Sequence, residues 1–571
     1  MSTYPNVILV NLISRAFLQR FQAPLATTML SGYLKAKLSD VSVTQIDMQV
    51  IFETFNSEGK SEALKSFHRT VDETVNMIQE LVNHQEKTII GFSMKWKTQD
   101  ETKEIIRRVY EFASKDRVLF VLGNLISTFS YEEILREPGF EGVLAVVGEG
   151  EDALMSILKN SMVGPIDLSN YANIPNLTYN QHGAIATPTV GRIDLKMYPD
   201  QTIPDASKLY DSEYKVYAYE TSRGCAWGAC TFCSIKHQFG GLFSKKEEVW
   251  GWRYYPVEKV LADFRSFAAQ GARVFDLKDS EFFGPVRSRN GIDPFEQSAA
   301  RVEALAGGLI EINKGLEEKI SINHISVKVD TIYRDGETQK NKRKRDLYEL
   351  LKEAGLAGVY LGVESGSHEQ LRRYCKGSTV EENKVAVRIM RDIGLDLEVG
   401  FIFFDGLVTI EELLENVQFI EETQLYETPS RLFGSLRIQT CTPYYKMAEK
   451  SDLVGEYDSG MMTSRCLFKN QGIQQIEATF NLWEEPTRKL IKLLPREANT
   501  AVYREDFYFM KDLVTVASHG LGGIPKVLAS HVSDRHILLS DFAKEFRDGD
   551  ILEEYLTEAM RSNERLLDKK Q

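Results

Sequence analysis

The 571-residue sequence predicts an α/β protein with an N-terminal doubly wound parallel sheet, a partial (β/α)6 barrel and a mostly helical C-terminal domain. Two runs of Val-, Ile- and Leu-rich strands alternate with helix-length segments, as in parallel sheets covered by helices. A stretch rich in Pro, Asn, Asp and Tyr separates them, and the C-terminal part shows helical patterns with few strand signals. The length fits about three domains of roughly 150–200 residues. We place them at 1–160, 216–450 and 451–571, with a linker at 161–215.

The first region has the pattern of a nucleotide-binding-like sheet. Its strand candidates are Val7–Leu12, Val43–Asp47, Thr88–Ser93, Val118–Gly123 and Gly142–Val147. Its helix candidates are Leu25–Leu38, Val71–Asn83, Glu101–Ala113 and Tyr131–Arg136. Ligands of such sheets bind beyond the carboxyl ends of the strands. The loops there carry Ser14, Ser93, Met94, Gly123, Asn124, Gly148, Glu149 and Gly150. Glycine lets the backbone approach a ligand, but it is equally ordinary turn chemistry.

The second run predicts six barrel strands. They are Val216–Glu220, Arg273–Asp279, Ile322–Val329, Gly358–Val363, Leu397–Phe404 and Phe433–Gln439. Chemistry in barrels of this kind lies at the carboxyl ends of the strands. The C-terminal helix candidates are Trp483–Leu494, Asp506–Ala517, Asp541–Arg547 and Ile551–Leu567.

Composition excludes some classes of protein. The net charge is −13, so no broad basic surface indicates nucleic-acid binding. No apolar stretch approaches the ~20 residues that span a bilayer. Met1–Pro5 leads directly into a strand-like run, so we expect no signal peptide and a cytoplasmic location.

Three of the six cysteines, Cys225, Cys230 and Cys233, lie within nine residues after the first barrel strand. Three thiolates from one loop can hold three irons of a cubane iron–sulfur cluster and leave the fourth iron open. The alternative is a zinc site in which His237 completes a tetrahedral set, in a zinc-stabilised binding protein without catalysis. Both occupants are compatible with the spacing.

The segments around this loop resemble the radical S-adenosylmethionine (radical SAM) superfamily over about residues 216–450. The matching motifs are Arg223-Gly-Cys225 with Cys230-Thr-Phe-Cys233, Asp276-Leu-Lys-Asp279-Ser-Glu281, Gly362-Val-Glu364-Ser-Gly-Ser367 and Gln439-Thr-Cys-Thr-Pro443. The usual cluster loop is Cys-x3-Cys-x2-Cys, whereas four residues separate the first two cysteines here. A looser turn at Gly228 can absorb the extra residue.

The first 160 residues resemble the cobalamin-binding domain that precedes this barrel in one large subfamily. The matching pieces are Pro24-Leu-Ala, Gly91-Phe-Ser93, Leu122-Gly123 and Val147-Gly-Glu-Gly-Glu151. The Asp-x-His-x-x-Gly ligand motif of some cobalamin proteins is absent. A bound corrin would therefore not take its lower ligand from that histidine.

The resemblance implies three cofactors: a 4Fe–4S cluster on the three cysteines, SAM on its open iron, and cobalamin on the first-domain loop residues named above. The candidate SAM contacts are Asp279, Ser280, Glu281, Ser326, Lys328 and Glu364. The alternative for Asp279 and Glu281 is a helix-start role, and the alternative for Glu364 is an ordinary strand-to-helix turn with capping residues. Cys441, after the last barrel strand, is a candidate hydrogen-atom donor or nucleophile, with a buried inert thiol as the alternative.

The reaction that this resemblance implies is C-methylation of an unactivated carbon. One SAM would supply the methyl group through cobalamin, and a second would yield the 5′-deoxyadenosyl radical. The expected partners are a natural-product or peptide substrate and an electron donor such as flavodoxin or ferredoxin, with no membrane. Rearrangement or cyclisation without methyl transfer is the alternative outcome. The acidic charge balance argues against an RNA-modifying enzyme.

Overall fold

The computed structural model describes residues 4–14, 22–57, 63–82, 87–162, 166–199, 216–241, 251–288, 291–428, 430–488, 491, 494, 496–545, 557–562 and 565. Three architectural parts follow one another along these residues: a sheet with helices, a partial barrel and a helical C-terminal part. No helix within the described ranges is both long and apolar enough to cross a membrane.

The first part is a seven-stranded sheet in the order β2-β1-β3-β4-β5-β6-β7, parallel from β2 to β5. Its strands are Asn6–Asn11 (β1), Val43–Asp47 (β2), Thr88–Ser93 (β3), Val118–Gly123 (β4), Leu144–Val146 (β5), Leu177–Gln181 (β6) and Ala184–Ile185 (β7). Its helices are Leu25–Lys37 (α1), Met48–Ser57 (α2), Ala63–Leu81 (α3), Gln99–Phe112 (α4), Asn124–Phe129 (α5), Tyr131–Arg136 (α6) and Glu151–Asn160 (α7). Every residue of β3 is buried, which explains the continuous apolar runs.

The segment predicted as a linker contributes structure to this sheet. Strands β6 and β7 form a hairpin that adds antiparallel to β5. The turn places His182 at φ +53° and Gly183 at φ +92°. Two short strands with polar residues give no apolar run, so the sequence did not predict them. Residues 200–215 of the predicted linker lie outside the described residues.

The second part contains a five-stranded parallel sheet in the order β14-β13-β12-β11-β8. Its strands are Tyr217–Tyr219 (β8), Val274–Leu277 (β11), Ser321–Lys328 (β12), Leu356–Glu364 (β13) and Asp396–Phe401 (β14), beside a short antiparallel pair, Ser222–Arg223 (β9) and Arg253–Tyr254 (β10). The helices are Val257–Ala269 (α8), Phe295–Lys314 (α9), Thr338–Glu353 (α10), His368–Arg373 (α11), Val380–Ile393 (α12), Ile410–Thr423 (α13) and Pro443–Glu449 (α14). Capping boxes at Thr379 and Thr409 begin α12 and α13.

The sixth predicted barrel strand, Phe433–Gln439, does not form a continuous strand. It makes only isolated bridges, between Phe404 and Ser435 and between Ile438 and Ser464. Phe403 N and Phe404 N both donate to Gly434 O at 3.2 Å. Because two N–H groups share one carbonyl, the hydrogen bonds do not follow the regular pattern of a β-ladder. The segment still lies beside the end of β14 and closes that side of the barrel.

The C-terminal part is mostly helical, as predicted, but it has three long helices in place of the predicted segments, and a hairpin that was not predicted precedes them. The helices are Gln471–Arg488 (α15), Arg496–His519 (α16) and Ile524–Glu545 (α17), and the hairpin strands are Val454–Asp458 (β15) and Thr463–Cys466 (β16). Most of the predicted helix Ile551–Leu567 lies outside the described residues, although residues 557–562 are helical.

The β15–β16 hairpin fastens the barrel to the first sheet. Met462, at its turn, is 4% exposed and packs in the core of the first part. The hydroxyls of Tyr457 and Ser130 lie 2.7 Å apart, and Lys97 Nζ lies 3.1 Å from Asp458 Oδ2. At the other end, Ser464 pairs with Ile438 of the barrel. The first two parts are therefore held in a fixed arrangement by a segment from the third.

Replacing Met462 with Ala should destabilise the protein by roughly 2–5 kcal/mol, because it leaves a cavity in the first core. Thermal and denaturant unfolding of the full chain measure this change. Met197→Ala is the control, since Met197 is 71% exposed and should have almost no effect. Equal stability of both variants would contradict the packing role of Met462.

Candidate functional site

The cysteine loop begins directly after β9 and lies at the carboxyl end of the barrel. Cys225, Cys230 and Cys233 are partly buried and unpaired. Burial raises the pKa of Cys230 to about 12 and that of Cys233 to about 11, and the neighbouring cysteine sulfurs add to both rises. The three sulfurs are thus close enough to influence one another. Cys230 and Cys233 are therefore protonated in the apoprotein at neutral pH, so metal binding must displace their protons.

The arrangement of this loop favours a cluster over a single zinc ion. Within the described ranges, no group of three or more His, Cys, Asp or Glu side chains is placed to hold one metal ion. His237 is 8% exposed, neither ring nitrogen has a hydrogen-bond partner, and burial lowers its pKa to about 4. A zinc ion needs four ligands within about 2.3 Å of one point, whereas each cluster thiolate binds its own iron. The described side chains thus do not form a single-ion set that includes His237, and the assignment of Cys225, Cys230 and Cys233 to a cluster stays a prediction.

Trp227 anchors the four-residue stretch between the first two cysteines. Its indole Nε1 donates to Cys375 O at 2.8 Å, and the Arg287 guanidinium lies 4.2 Å from its ring centre. Gly228 adopts φ +58°, a conformation that favours glycine. The extra residue is therefore absorbed at Gly228, as the sequence suggested, while the anchoring role of Trp227 was not predicted.

Two lysine–carboxylate pairs lie beside the sulfurs. Lys376 Nζ donates to Glu364 Oε1 at 2.8 Å, and Lys328 Nζ lies 3.3 Å from Asp330 Oδ1. Although burial opposes the charged form, Glu364 and the sulfur of Cys230 raise the pKa of Lys376 above its usual value. Asp330 and Glu281 likewise raise the pKa of Lys328, with a further contribution from Cys225. Two largely buried ammonium groups therefore lie near the three sulfurs, and Lys376 was not among the predicted site residues.

Glycines on β13 and β14 leave room for polar side chains beside Glu364. A side chain at Gly362 would lie 2.6 Å from Lys376 Nζ, and one at Gly400 would lie 2.8 Å from the Tyr360 hydroxyl, so these two groups occupy the space. Tyr360 is 38% exposed although β13 is a central strand. Ser326 pairs in register with Tyr360, and Lys328 with Gly362. Glu364, Ser326 and Lys328 thus lie on neighbouring strands at the carboxyl end of the barrel, and their contact with SAM stays a prediction.

The predicted SAM contacts on the β11 loop have structural partners. Asp279 accepts hydrogen bonds from Thr221 N at 3.0 Å, from the Thr221 hydroxyl at 2.7 Å and from the Ser222 hydroxyl. Glu281 accepts from Phe283 N and Gly284 N, each at 3.0 Å. Burial raises the pKa of Glu281 to about 7.

Both carboxylates therefore accept hydrogen bonds from main-chain N–H groups, and Asp279 fixes the residues that lead into the cysteine loop. Ser280 lies between them and is partly buried. A SAM contact from these three residues stays a prediction. The helix-start role weighed for Asp279 and Glu281 differs from the structure, because the next described helix begins only at Phe295.

The predicted cobalamin residues gather at the carboxyl edge of the first sheet. Asn124 adopts φ +75° and donates from Nδ2 to Ser93 Oγ at 2.9 Å. Ser14 is 4% exposed, and Met94 is fully buried in the core. Gly123 ends β4, and Gly148 and Gly150 flank Glu149 at the end of β5. Met94 and Glu149 were expected to contact cobalamin, but their side chains have other partners. Met94 packs in the core, and the Glu149 carboxylate pairs with arginines of the barrel.

This edge faces the barrel mouth. Gln22 Nε2, before α1, donates to Asp276 Oδ2 of β11 at 3.0 Å. Lys95 Nζ donates to Asn11 Oδ1 at 2.7 Å, and its pKa is lowered by burial and then by Lys278 of the barrel. The carboxyl ends of both parallel sheets therefore meet at one polar junction.

Cys441 lies on the barrel side of that junction. Burial raises the pKa of its thiol to about 11, with Lys236 opposing the rise. Cys441 also contributes to the raised pKa of Tyr457 in the hairpin. It is thus a protonated thiol beneath the hairpin, and its catalytic role stays a prediction.

Comparison with known proteins agrees with this geometry. Residues 219–420 match the model of the radical SAM superfamily. A 4'-phospho-dehydrooxetanocin synthase from Priestia megaterium is 27% identical over 474 residues, which cover 80% of this chain and 56% of the relative. An anaerobic magnesium-protoporphyrin IX monomethyl ester cyclase from Cereibacter sphaeroides is 28% identical over 306 residues, covering 50% of this chain and 41% of the relative. The chain thus spans about half the length of these curated relatives.

Solved structures share the fold. The cobalamin-dependent S-adenosylmethionine radical enzyme OxsB with aqua-cobalamin bound superimposes with a TM-score of 0.71 at 22% identity, covering 99% of this chain and 80% of that one. The radical S-adenosylmethionine methyltransferase TsrM from Kitasatospora setae, with cobalamin and a 4Fe–4S cluster bound, gives 0.56 at 19% identity, covering 80% of this chain and 79% of that one. At these identities, the solved structures show a shared fold.

Proposed function

We propose that this chain is a cobalamin-dependent radical SAM enzyme that methylates an unactivated carbon of a small-molecule or peptide substrate. The observation that carries the proposal is the junction where the cysteine loop and the carboxyl edge of the first sheet meet. Gly148 of that edge approaches the backbone at Gln238, just after the loop, since an added side-chain carbon would lie 3.5 Å from Gln238 O. A corrin on the first sheet and SAM on the cluster would therefore share one chamber.

The cofactors supply the difficult chemistry, namely homolysis of a carbon–sulfur bond of SAM and transfer of a methyl group. The protein binds and orients them. Cys225, Cys230 and Cys233 would hold the cluster, and Glu364, Ser326 and Lys328 on the neighbouring strands would contact SAM next to it. The first-domain loops, with Ser93 and Asn124 at their ends, would hold the corrin.

The buried lysines would control charge at this site. Lys376 and Lys328 each pair with one carboxylate and lie near the sulfurs, so they offset part of the negative charge of three thiolates. An external one-electron donor, such as a flavodoxin or ferredoxin, would reduce the cluster.

The second candidate is a rearrangement or cyclisation with the same cofactors but without methyl transfer. The matches to a synthase and a cyclase favour it. The proposed junction is compatible with both outcomes, because the side chains that line the chamber would decide the fate of the substrate radical. The two reactions differ in the products that they form from SAM.

Anaerobically purified full-length protein should contain about four irons, four sulfides and one cobalamin per chain. With SAM and reductant, methyl transfer should yield both S-adenosylhomocysteine and 5′-deoxyadenosine, each quantified by mass spectrometry. Only 5′-deoxyadenosine would favour the second candidate. About one zinc without sulfide would contradict both. Once a substrate is found, a product heavier by one methylene establishes methylation.

A further inference from the structure

A buried ion cluster joins the cysteine loop to the first domain. Arg223, two residues before Cys225, donates from Nη1 to Glu149 Oε1 at 2.8 Å and from Nη2 to Glu151 Oε1 at 2.6 Å. Its Nε donates to Glu220 Oε1 at 2.7 Å. The arginine side chain is 7% exposed and each first-domain glutamate 5%. One guanidinium therefore connects two carboxylates of the first domain with one of the barrel.

The partners of Arg223 are themselves held in place. Arg253 donates from Nη2 to Glu149 Oε1 at 2.8 Å, and Ile193 N donates to Glu149 Oε2 at 2.9 Å. The Arg223 guanidinium also lies 5.9 Å from the ring centre of Tyr198 and 5.8 Å from that of Tyr255. The planar Arg223 guanidinium and the carboxylates that it binds therefore have one well-defined arrangement.

This cluster links the two segments that would hold different cofactors. Glu149 and Glu151 belong to the turn between β5 and α7, on the edge of the first sheet that faces the barrel. Arg223 is separated from Cys225 only by Gly224, at φ +84°. A buried ion pair adds little net stability compared with apolar packing, but it fixes geometry. Rates of group transfer depend steeply on such geometry, since a displacement of about 1 Å can cost on the order of 100-fold.

We propose that Arg223 is a positioning residue that sets the separation between the cysteine loop and the corrin-binding edge, and thereby couples SAM cleavage to group transfer. The inference rests on the proposed function, whichever of the two reactions the enzyme performs. Arg223 touches neither substrate nor cofactor in this role. It acts by holding the Glu149–Glu151 turn against the loop.

The test uses Arg223→Lys, because one ammonium group cannot span three carboxylates. The ratio of 5′-deoxyadenosine to transferred product should rise at least about tenfold. In the absence of a substrate, S-adenosylhomocysteine serves as the transferred product. Iron, sulfide and cobalamin contents should stay within about twofold of the wild type, because none of their ligands changes. Glu149→Gln and Glu151→Gln loosen the same link from the other side and should raise the ratio in the same direction.

Arg535→Lys is the matched control. Arg535 is also fully buried and ion-paired, with its Nη2 2.5 Å from Asp506 Oδ1, but it lies in the C-terminal helices. Its replacement should leave the ratio unchanged. A rise of similar size in this variant would show general loosening of the fold and overturn the inference.

A second readout needs no cofactor. Amide hydrogen exchange of the apoprotein should accelerate in residues 144–160 and 216–233 together in Arg223→Lys, and in neither segment in Arg535→Lys. The positioning role would be overturned if Arg223→Lys changed neither amide hydrogen exchange nor the ratio of 5′-deoxyadenosine to transferred product. It would also be overturned if Arg223→Lys lost the cluster while Glu149→Gln and Glu151→Gln kept the wild-type ratio. If the wild type binds no cobalamin, the proposed function fails, whereas the exchange result still decides whether Arg223 links the segments.

Discussion

Replacing Cys230 with Ala should remove the cluster and SAM cleavage together. Cys230 is one of three thiols on the loop, and two thiolates are too few to retain a cubane cluster with one open iron. We expect iron to fall from about four to below about one per chain and cleavage of SAM to fall at least about 1,000-fold. Iron and sulfide assays, the visible absorption near 400 nm and chromatography of 5′-deoxyadenosine measure these losses.

Two control variants sharpen this result. Cys375→Ser removes an exposed thiol outside the loop and should retain the cluster. His237→Ala removes the histidine of the alternative zinc set and should also leave the iron content unchanged, because no described carboxylate, cysteine or histidine group completes a single-ion site there. Loss of metal in His237→Ala, or retained SAM cleavage in Cys230→Ala, would overturn the ligand assignment.

Replacing Lys376 with Met should make the cluster harder to reduce. Lys376 pairs with Glu364 and lies within the electrostatic range of Cys230 and Cys225, so its removal leaves a buried carboxylate beside the thiolates. A unit charge a few ångströms away contributes about 2–4 kcal/mol at an effective dielectric constant of about 20. The reduction potential should therefore become more negative by on the order of 100 mV, with a large loss of SAM cleavage. A redox titration followed by electron paramagnetic resonance measures the shift.

The neighbouring carboxylate supplies the matched variant. The double variant Lys376→Met with Glu364→Gln removes both charges of the pair and should restore the potential to within about 30 mV of the wild type. Lys376→Arg keeps the charge and should behave similarly. Equal potentials in the single and double variants would show that packing, not charge, is responsible.

The sequence predicts the parts of this protein that depend on short-range pattern. The four strands from β1 to β4 agree with their predicted bounds to within one residue, because buried parallel strands consist of continuous apolar residues. The three cysteines are recognisable because they are so close together in a chain otherwise poor in cysteine. Glu364 was recognised from its motif, and the structure gives it Lys376 as a partner from twelve residues later.

What the sequence did not predict depends on pairings over long distances. Glu149 has the position of a ligand contact at a strand end, but its carboxylate binds Arg223, 74 residues away. No local pattern indicates which charged residues will meet across two domains. The β6–β7 and β15–β16 hairpins were missed because their strands are short and partly polar, so neither alternation nor apolar runs mark them.

The hairpin that carries Met462 has a consequence for how the chain acquires its structure. The contact between Ser130 and Tyr457 spans 327 positions, and Met462 fills the core of a unit whose own strands end more than 250 positions earlier. The first part has therefore emerged from the ribosome long before Met462, the last residue of its core, is synthesised. That unit must wait, incompletely packed, for a late segment, so a fragment containing residues 1–199 alone should be poorly folded and prone to aggregate. We therefore expect the first part and the barrel to unfold in one cooperative transition.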